Sequence, residues 1–430
     1  MEGIPGQTAK QWLFAAWIAA VVFVFPIPRT IALRNLLLLA GVVALLWAYR
    51  RAQPRLTPWL KPAAVWFAAL TAWILFHSLV VAEAPIFAID QFRANWLMPF
   101  LIGAIGAWAA TQLPRARATQ AVAVALAGHM LWLLGWQFKV WLATGVWPFK
   151  VTPFGGYDYQ GTLNSFLLAL LVVDRLFWVL RKTSPLSLGR RWGWVMLVLS
   201  LLADLALQSR NSTVVSALLL LATSIALLKV RSRYWRIGVA VIGLVGLLGT
   251  GSLKFDPRWQ GLRESVSFGW SSPDLYWMTY AAARKPMTPS GRRLDESAYL
   301  RSAWARQAVD FIAEHPMGIG FGHDSFGNAM EMKYGTPGWG SSHSGWLDFA
   351  LGTGLVGLAL LLATAGVAMR SGWREFRKRH DAQALLLLFF VGGYLLRCLL
   401  DGHLSGWRLG LFAFVVGILI AGMREQPENP

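Results

Sequence analysis

Cysteine is almost missing. Cys398 is the only thiol in 430 residues and lies inside an apolar run, so no internal disulfide and no cysteine cluster can form. Charge is scarce too, at 14% of residues, and acids number 21 against 40 bases. So few charges cannot cover the surface of a soluble protein of this length. No Asp-x-Asp pair stands in any outward loop and no His-Glu-x-x-His occurs, so no metal site and no cofactor is expected. No internal repeat or low-complexity tract stands out. The first apolar run, 12–27, ends in "FPIPRT" without a small-residue cleavage site, so it reads as an uncleaved span.

What the chain has instead is apolar length. Hydrophobic residues make up 56% of it, mean hydropathy is +0.47, and the apolar residues fall in runs of about 17 to 25. These runs predict an all-α polytopic membrane protein of about 12 transmembrane helices. The spans are 12–28, 31–49, 62–82, 95–111, 120–143, 161–180, 192–208, 213–229, 237–251, 345–369, 384–400 and 407–423. The short connections alternate in charge. "YRRAQPRLTPWLK", "LPRARAT", "RKTSPLSLGRR", "KVRSRYWR" and "RSGWREFRKRH" are dense in Arg and Lys, whereas "FPIPRT", "EAPIFAIDQFR" and "DGHLSG" are not. By the positive-inside rule the basic set and both termini face the cytoplasm. The net charge of +19 is thereby a matter of topology, with no nucleic acid as partner. The 24 tryptophans suit interfacial belts against membrane lipids.

One connection is far longer than the rest. Three regions follow: spans one to nine over 1–251, an outward loop over 252–344, and spans ten to twelve with a short tail over 345–430. The loop carries Lys254, Arg258, Arg263, Arg284, Lys285, Arg292 and Arg293 among its bases, nearly balanced by acids. Within it, "DESAYLRSAWARQAVDFIAEHP" opens on capping residues and spaces Leu300, Trp304, Ala308 and Phe311 as one face of a helix, which Pro316 stops. That face should pack on the membrane region or in its interface.

Three cationic or titratable positions face outward. Arg210 in "QSRNSTVVS" lies where Asn211, Ser212 and Thr213 can cap a helix, so it either grips an anion at the helix mouth or snorkels to headgroups. Arg301 on the loop helix either forms a surface pair with Asp295 or Glu296 or faces a ligand. Gly318, Gly320 and Gly322 follow that helix and could let main-chain N–H groups approach a phosphate, a weak signal alone. His343, in "GWGSSHSGW", follows Ser341 and Ser342 as caps and should sit in the first turn of span ten. There the positive helix end keeps the imidazole neutral, as a general base requires. The embedded Asp174, Arg175 and Asp204 read as structural pairs, and His77, His129 and His403 as isolated packing residues.

Together these motifs resemble the O-antigen ligase and polymerase superfamily. Its members share an Arg after Ser at one span end, an Arg before x-x-Trp in the large loop, an Asn-Pro-x-x-Gly-x-Gly turn and a His-Asn helix start. Here they match Arg210, Arg301, "HPMGIGFG" and "SSHSGWLDFALGTGLVGL", over roughly 200–430. Asn211, His315 and Ser344 depart from the usual residues, but the two arginines and the histidine remain. The resemblance implies an inner-membrane glycosyltransferase acting at the periplasmic face without a metal. Its donor would be an undecaprenyl-diphosphate-linked polysaccharide and its acceptor a sugar hydroxyl of lipid A–core. Arg210 and Arg301 would hold the diphosphate, His343 would be the base, and Gly318 and Gly320 would support the loop. O-antigen polymerases, with two sizeable periplasmic loops, and longer protein O-oligosaccharyltransferases with an added C-terminal part fit less well. A lipid-linked saccharide transporter remains the reading from another class, although the nine-to-three division shows no related halves.

Overall fold

A computed structural model describes residues 5–48, 57–180, 182–230, 235–255, 259, 261–271, 276–279, 287–288, 290–291, 294–335 and 340–423. Outside these lie much of the basic loops at 49–56 and 231–234, Arg258, Arg284, Lys285, Arg292, Arg293, Gly338, Trp339 and the tail from 424. Every regular element among the described residues is helical.

The helices are α1 (Pro5–Val24), α2 (Ile31–Ala48), α3 (Lys61–Phe76), α4 (Pro85–Phe92), α5 (Met98–Ala110), α6 (Arg115–Thr144) and α7 (Tyr157–Val179). Then come α8 (Arg190–Leu207), α9 (Arg210–Val230), α10 (Trp235–Phe255), α11 (Leu262–Ser271) and α12 (Tyr276–Thr279). The last are α13 (Glu296–Glu314), α14 (Ser325–Tyr334), α15 (Gly345–Arg379), α16 (Ala382–Leu400) and α17 (Gly406–Ala421). The expected apolar runs fall on helical segments, with 62–82 continuing from α3 into a π-helical turn (His77–Val81) and 95–111 starting in another (Arg93–Leu97) before α5. Six stretches, Pro58–Val81, α6, α7, Arg210–Leu228, α15 and α16, are long and apolar enough to cross a membrane, and shorter apolar helices accompany them. This is a multi-pass membrane protein.

α7 is the axis of the bundle. Every residue from Gln160 to Phe177 is buried, polar ones included, and α6, α8, α9 and α16 pack around it. Lipid offers no hydrophobic drive for helix pairing, so small residues set the closest contacts. A Cβ on Gly106 would meet the Phe414 carbonyl at 2.4 Å, so α5 and α17 touch backbone to backbone. Two buried acids of the bundle are satisfied by neighbouring side chains and main chain. Arg175 donates to Asp174, which also accepts from Ser184 and Leu186 N, while Asp204 accepts from Asn164 and Ser216.

α15 is interrupted at Gly354 (φ 73°, ψ 178°), a conformation that favours glycine. The break frees main-chain groups that the turn after α13 takes up. Ile319 N donates to Leu351 O (2.9 Å), Gly320 N to Gly352 O (3.1 Å) and Leu355 N to Pro316 O (2.9 Å). The loop helix α13 is fixed at its other end by Asp295, whose side chain accepts from Ala298 N at 2.8 Å. Its predicted apolar face packs into a core of its own. Ala308 and Phe311 are buried with Phe326 of α14 and with Ala350 and Leu351 of α15. Trp304 and Leu300 lie at the margin of that core.

Candidate active site

Where α9 begins, α13 crosses and α15 starts, the chain encloses a cavity of about 620 Å³. Arg210, Arg301 and His343 all line it, although 133 positions separate the first from the last. Its remaining wall is mostly apolar and runs onto the membrane helices through Val214, Leu358 and Leu399.

Each of the three side chains is held in its own way. Arg210 opens α9 and forms an ion pair with Asp295 at 2.8 Å, with its guanidinium 5.8 Å from the ring centroid of Trp259. Asp295 therefore pairs with Arg210 and not, as the sequence suggested, with Arg301. The cap also differs from expectation: Ser212 N donates to Ser209 Oγ (3.5 Å), so Ser209 stands where Asn211, Ser212 or Thr213 was expected. Asn211 instead turns to α16, donating to Leu400 O (3.2 Å) and to Asp401 Oδ1 (2.9 Å). Arg301 reaches the same two acceptors, Leu400 O at 3.1 Å and Asp401 Oδ1 at 3.3 Å. Of the two alternatives for Arg301, the surface pair with Asp295 or Glu296 does not form, because α13 lies with this face against the end of α16.

His343 precedes α15 instead of lying in its first turn. Ser344 is the N-cap, its hydroxyl accepting from Leu347 N, and His343 has a left-handed backbone (φ 61°) that is uncommon outside glycine. Ser342 N donates to Asp348 Oδ1 at 2.9 Å and His343 N to Ser341 Oγ at 3.3 Å, pinning the strap on both sides of the ring. The imidazole stacks on Trp304, with centroids 5.3 Å apart and planes at 17°. The side chain is exposed into the cavity, yet the cavity walls displace much of the bulk water around it. Burial and then the charge of Arg301 lower its pKa from the ordinary 6.5, against the opposing pull of Asp401 and Asp158. That direction favours the neutral ring, the form a general base requires.

The glycine turn does not offer its donors to a phosphate. Gly318 N is taken by His315 O and Gly320 N by Gly352 O. A Cβ on Gly318 (φ 80°) would meet Gly354 N at 2.4 Å, so these glycines clasp the broken helix α15 and support the loop by packing.

Behind the cavity lies a buried polar cluster that the sequence reading did not single out. Arg397 of α16 is fully buried and pairs with Asp401 Oδ2 at 3.1 Å. It also donates to Ser212 Oγ (2.8 Å) and to Asp158 O (3.2 Å). His403 is not isolated: its Nε2 lies 2.7 Å from Thr162 Oγ1 and 3.2 Å from Arg397 Nε, and burial drives its pKa far down, so it is neutral. Asp401 thus joins Asn211 and Arg301 on the cavity side to Arg397 on the buried side. A lone arginine in the apolar run "LLRCLL" was the available signal, since embedded charges are functional suspects.

Among known proteins, residues 195–362 match the family model described as O-Antigen ligase. The matched segment runs from α8 into α15 and contains Arg210, Arg301 and His343. None of the curated proteins compared matches the chain.

Proposed function

We propose that this chain is a member of the O-antigen ligase and polymerase superfamily and, within it, the ligase, a reading supported by the match of residues 195–362 to the O-Antigen ligase family model. On this reading it joins an undecaprenyl-diphosphate-linked polysaccharide to a sugar hydroxyl of lipid A–core. It works at the periplasmic face of the inner membrane, with both termini in the cytoplasm. Residues 1–251 and 345–430 are then the spans, about twelve in all, and 252–344 the periplasmic part.

The observation that carries the reading is the single cavity shared by Arg210, Arg301 and His343, with an apolar wall leading onto membrane helices. A polyprenyl chain suits that wall, and a diphosphate suits two guanidinium groups, whose planar donor forks match phosphate oxygens. The acceptor hydroxyl then meets the neutral imidazole. Its oxygen attacks the anomeric carbon, its proton passes to a ring nitrogen of His343, and the bond to phosphate breaks. The electron pair leaves with the diphosphate, whose growing charge the arginines stabilise. A single in-line displacement inverts the anomeric centre. The two arginines supply the neutralisation a divalent cation would give, so the reaction is proposed to be metal-independent, with no cofactor.

The arginines are paired before substrate arrives, Arg210 with Asp295 and Arg301 with Asp401. Those carboxylates orient the forks and offset part of their charge, so a diphosphate has to compete with them. Deleting the protein from its host tests the function. Lipopolysaccharide should lose its polymer while carrier-bound polymer accumulates; single repeats left on the core would show a polymerase instead, and carrier-bound polymer trapped in the cytoplasm would show a transporter.

A further inference from the structure

A second cavity, of about 230 Å³, shares a wall with the first. The strap around His343 is that wall. Ser342, His343 and Ser344 face the larger cavity, whereas Ser341 and Gly345 face the smaller one. Asp348 stands in the small cavity and, through Oδ1, holds Ser342 N at 2.9 Å, so one carboxylate serves both the cavity and the strap.

The two cavities differ in chemistry. The large one presents cations and a long apolar wall. The small one sets the acidic side chains Asp324 and Asp348 beside His323, which lies 2.9 Å from Asp324, and beside Arg408, which donates to Asp158 Oδ2 at 2.5 Å. With one arginine against two in the large cavity, and with acidic side chains in its own wall, it suits a second diphosphate less well. The small cavity holds about eight waters at ~30 Å³ each, the scale of one sugar ring and its hydroxyl groups. Its wall has what a neutral polyol needs: carboxylate acceptors, the Ser341 and Ser405 hydroxyls, and the aromatic Phe321 and Phe349.

We infer that the small cavity is a subsite for one sugar unit of the acceptor saccharide, next to the unit whose hydroxyl meets His343. The inference rests on the proposed transfer reaction and adds where the acceptor is gripped. Because Asp348 ties that subsite to the strap, a seated acceptor and a correctly aimed base go together.

The test is steady-state transfer by the purified full-length protein, with lipid A–core as acceptor and diphosphate-linked polysaccharide as donor, each varied in turn. Ser405 caps α17 without a side-chain hydrogen bond, so Ser405→Leu fills the cavity and breaks no cap. It should raise the acceptor KM about tenfold, with donor KM and kcat at saturating acceptor within about twofold of wild type. Asp324→Asn, at a half-exposed position that does not hold the strap, should raise the acceptor KM about threefold and decides the matter if Ser405→Leu fails to fold. An unchanged acceptor KM in both variants, or a rise in donor KM instead, overturns the subsite. A wild-type protein that forms no glycosidic product overturns the proposed reaction and the subsite with it.

Discussion

Asp401→Asn is the change that most sharply probes how the cavity is built. The amide keeps an oxygen where Asn211 and Arg301 donate, but removes the charge facing Arg397 at 3.1 Å in a fully buried setting. Breaking a buried pair by removing one partner costs about 3–5 kcal/mol, since the remaining charge is left uncompensated. Arg397 keeps Ser212, Ser165, Thr162 and Asp158 O as acceptors, so about 2–3 kcal/mol is the reasonable expectation. Arg301 loses its charge-assisted contact at the same time. If that contact aims the fork, its loss should cost on the order of 1.5 kcal/mol in the transition state, about tenfold in kcat/KM. Both are measurable on one preparation: unfolding in detergent followed by tryptophan fluorescence, and transfer rate. Asp401→Glu, which restores charge with a longer arm, should recover stability better than rate. Wild-type stability and wild-type kcat/KM in Asp401→Asn would refute the reasoning, because the bridge between Arg301 and Arg397 would then carry nothing.

Further outcomes follow from the same geometry. A general base must be deprotonated, and the pKa of His343 is lowered, so the acidic limb of kcat/KM should fall below pH 6.5; in residual Arg301→Gln activity it should shift upward, because a neighbouring positive charge has gone. Arg210→Lys should reduce transfer by at least about tenfold despite keeping the charge, because an ammonium cannot hold Asp295 and a phosphate with one planar fork. Gly354→Ala should destabilise the protein by at least about 2 kcal/mol, measured as a lower unfolding temperature, since its Cβ would lie 2.4 Å from Met317 O in a backbone conformation other residues rarely adopt.

Much of this was legible in the sequence, for reasons that differ by element. The apolar runs gave the helices because a bilayer imposes one length and one periodicity on what crosses it. The loop helix α13 was readable from its cap and its face, both local signals. Partners were not. Nothing near Arg210 in the chain points to Asp295, or near Arg301 to Asp401, because these pairs arise only when α13 lies across the ends of α9 and α16. The glycines at 318 and 320 misled in the same way: spacing suggested open N–H groups, and only the break at Gly354 reveals what they bind. His343 was found by its neighbours in sequence, but its left-handed backbone and its stacking on Trp304 depend on Asp348 and α13.

The central claim is that the imidazole at the strap takes the acceptor proton beside an arginine-held diphosphate. The most direct measurement is transfer by purified His343→Ala, with donor binding recorded on the same sample. The account predicts a loss of about 100-fold or more in kcat with donor affinity and fold retained; a kcat within a few-fold of wild type would contradict it.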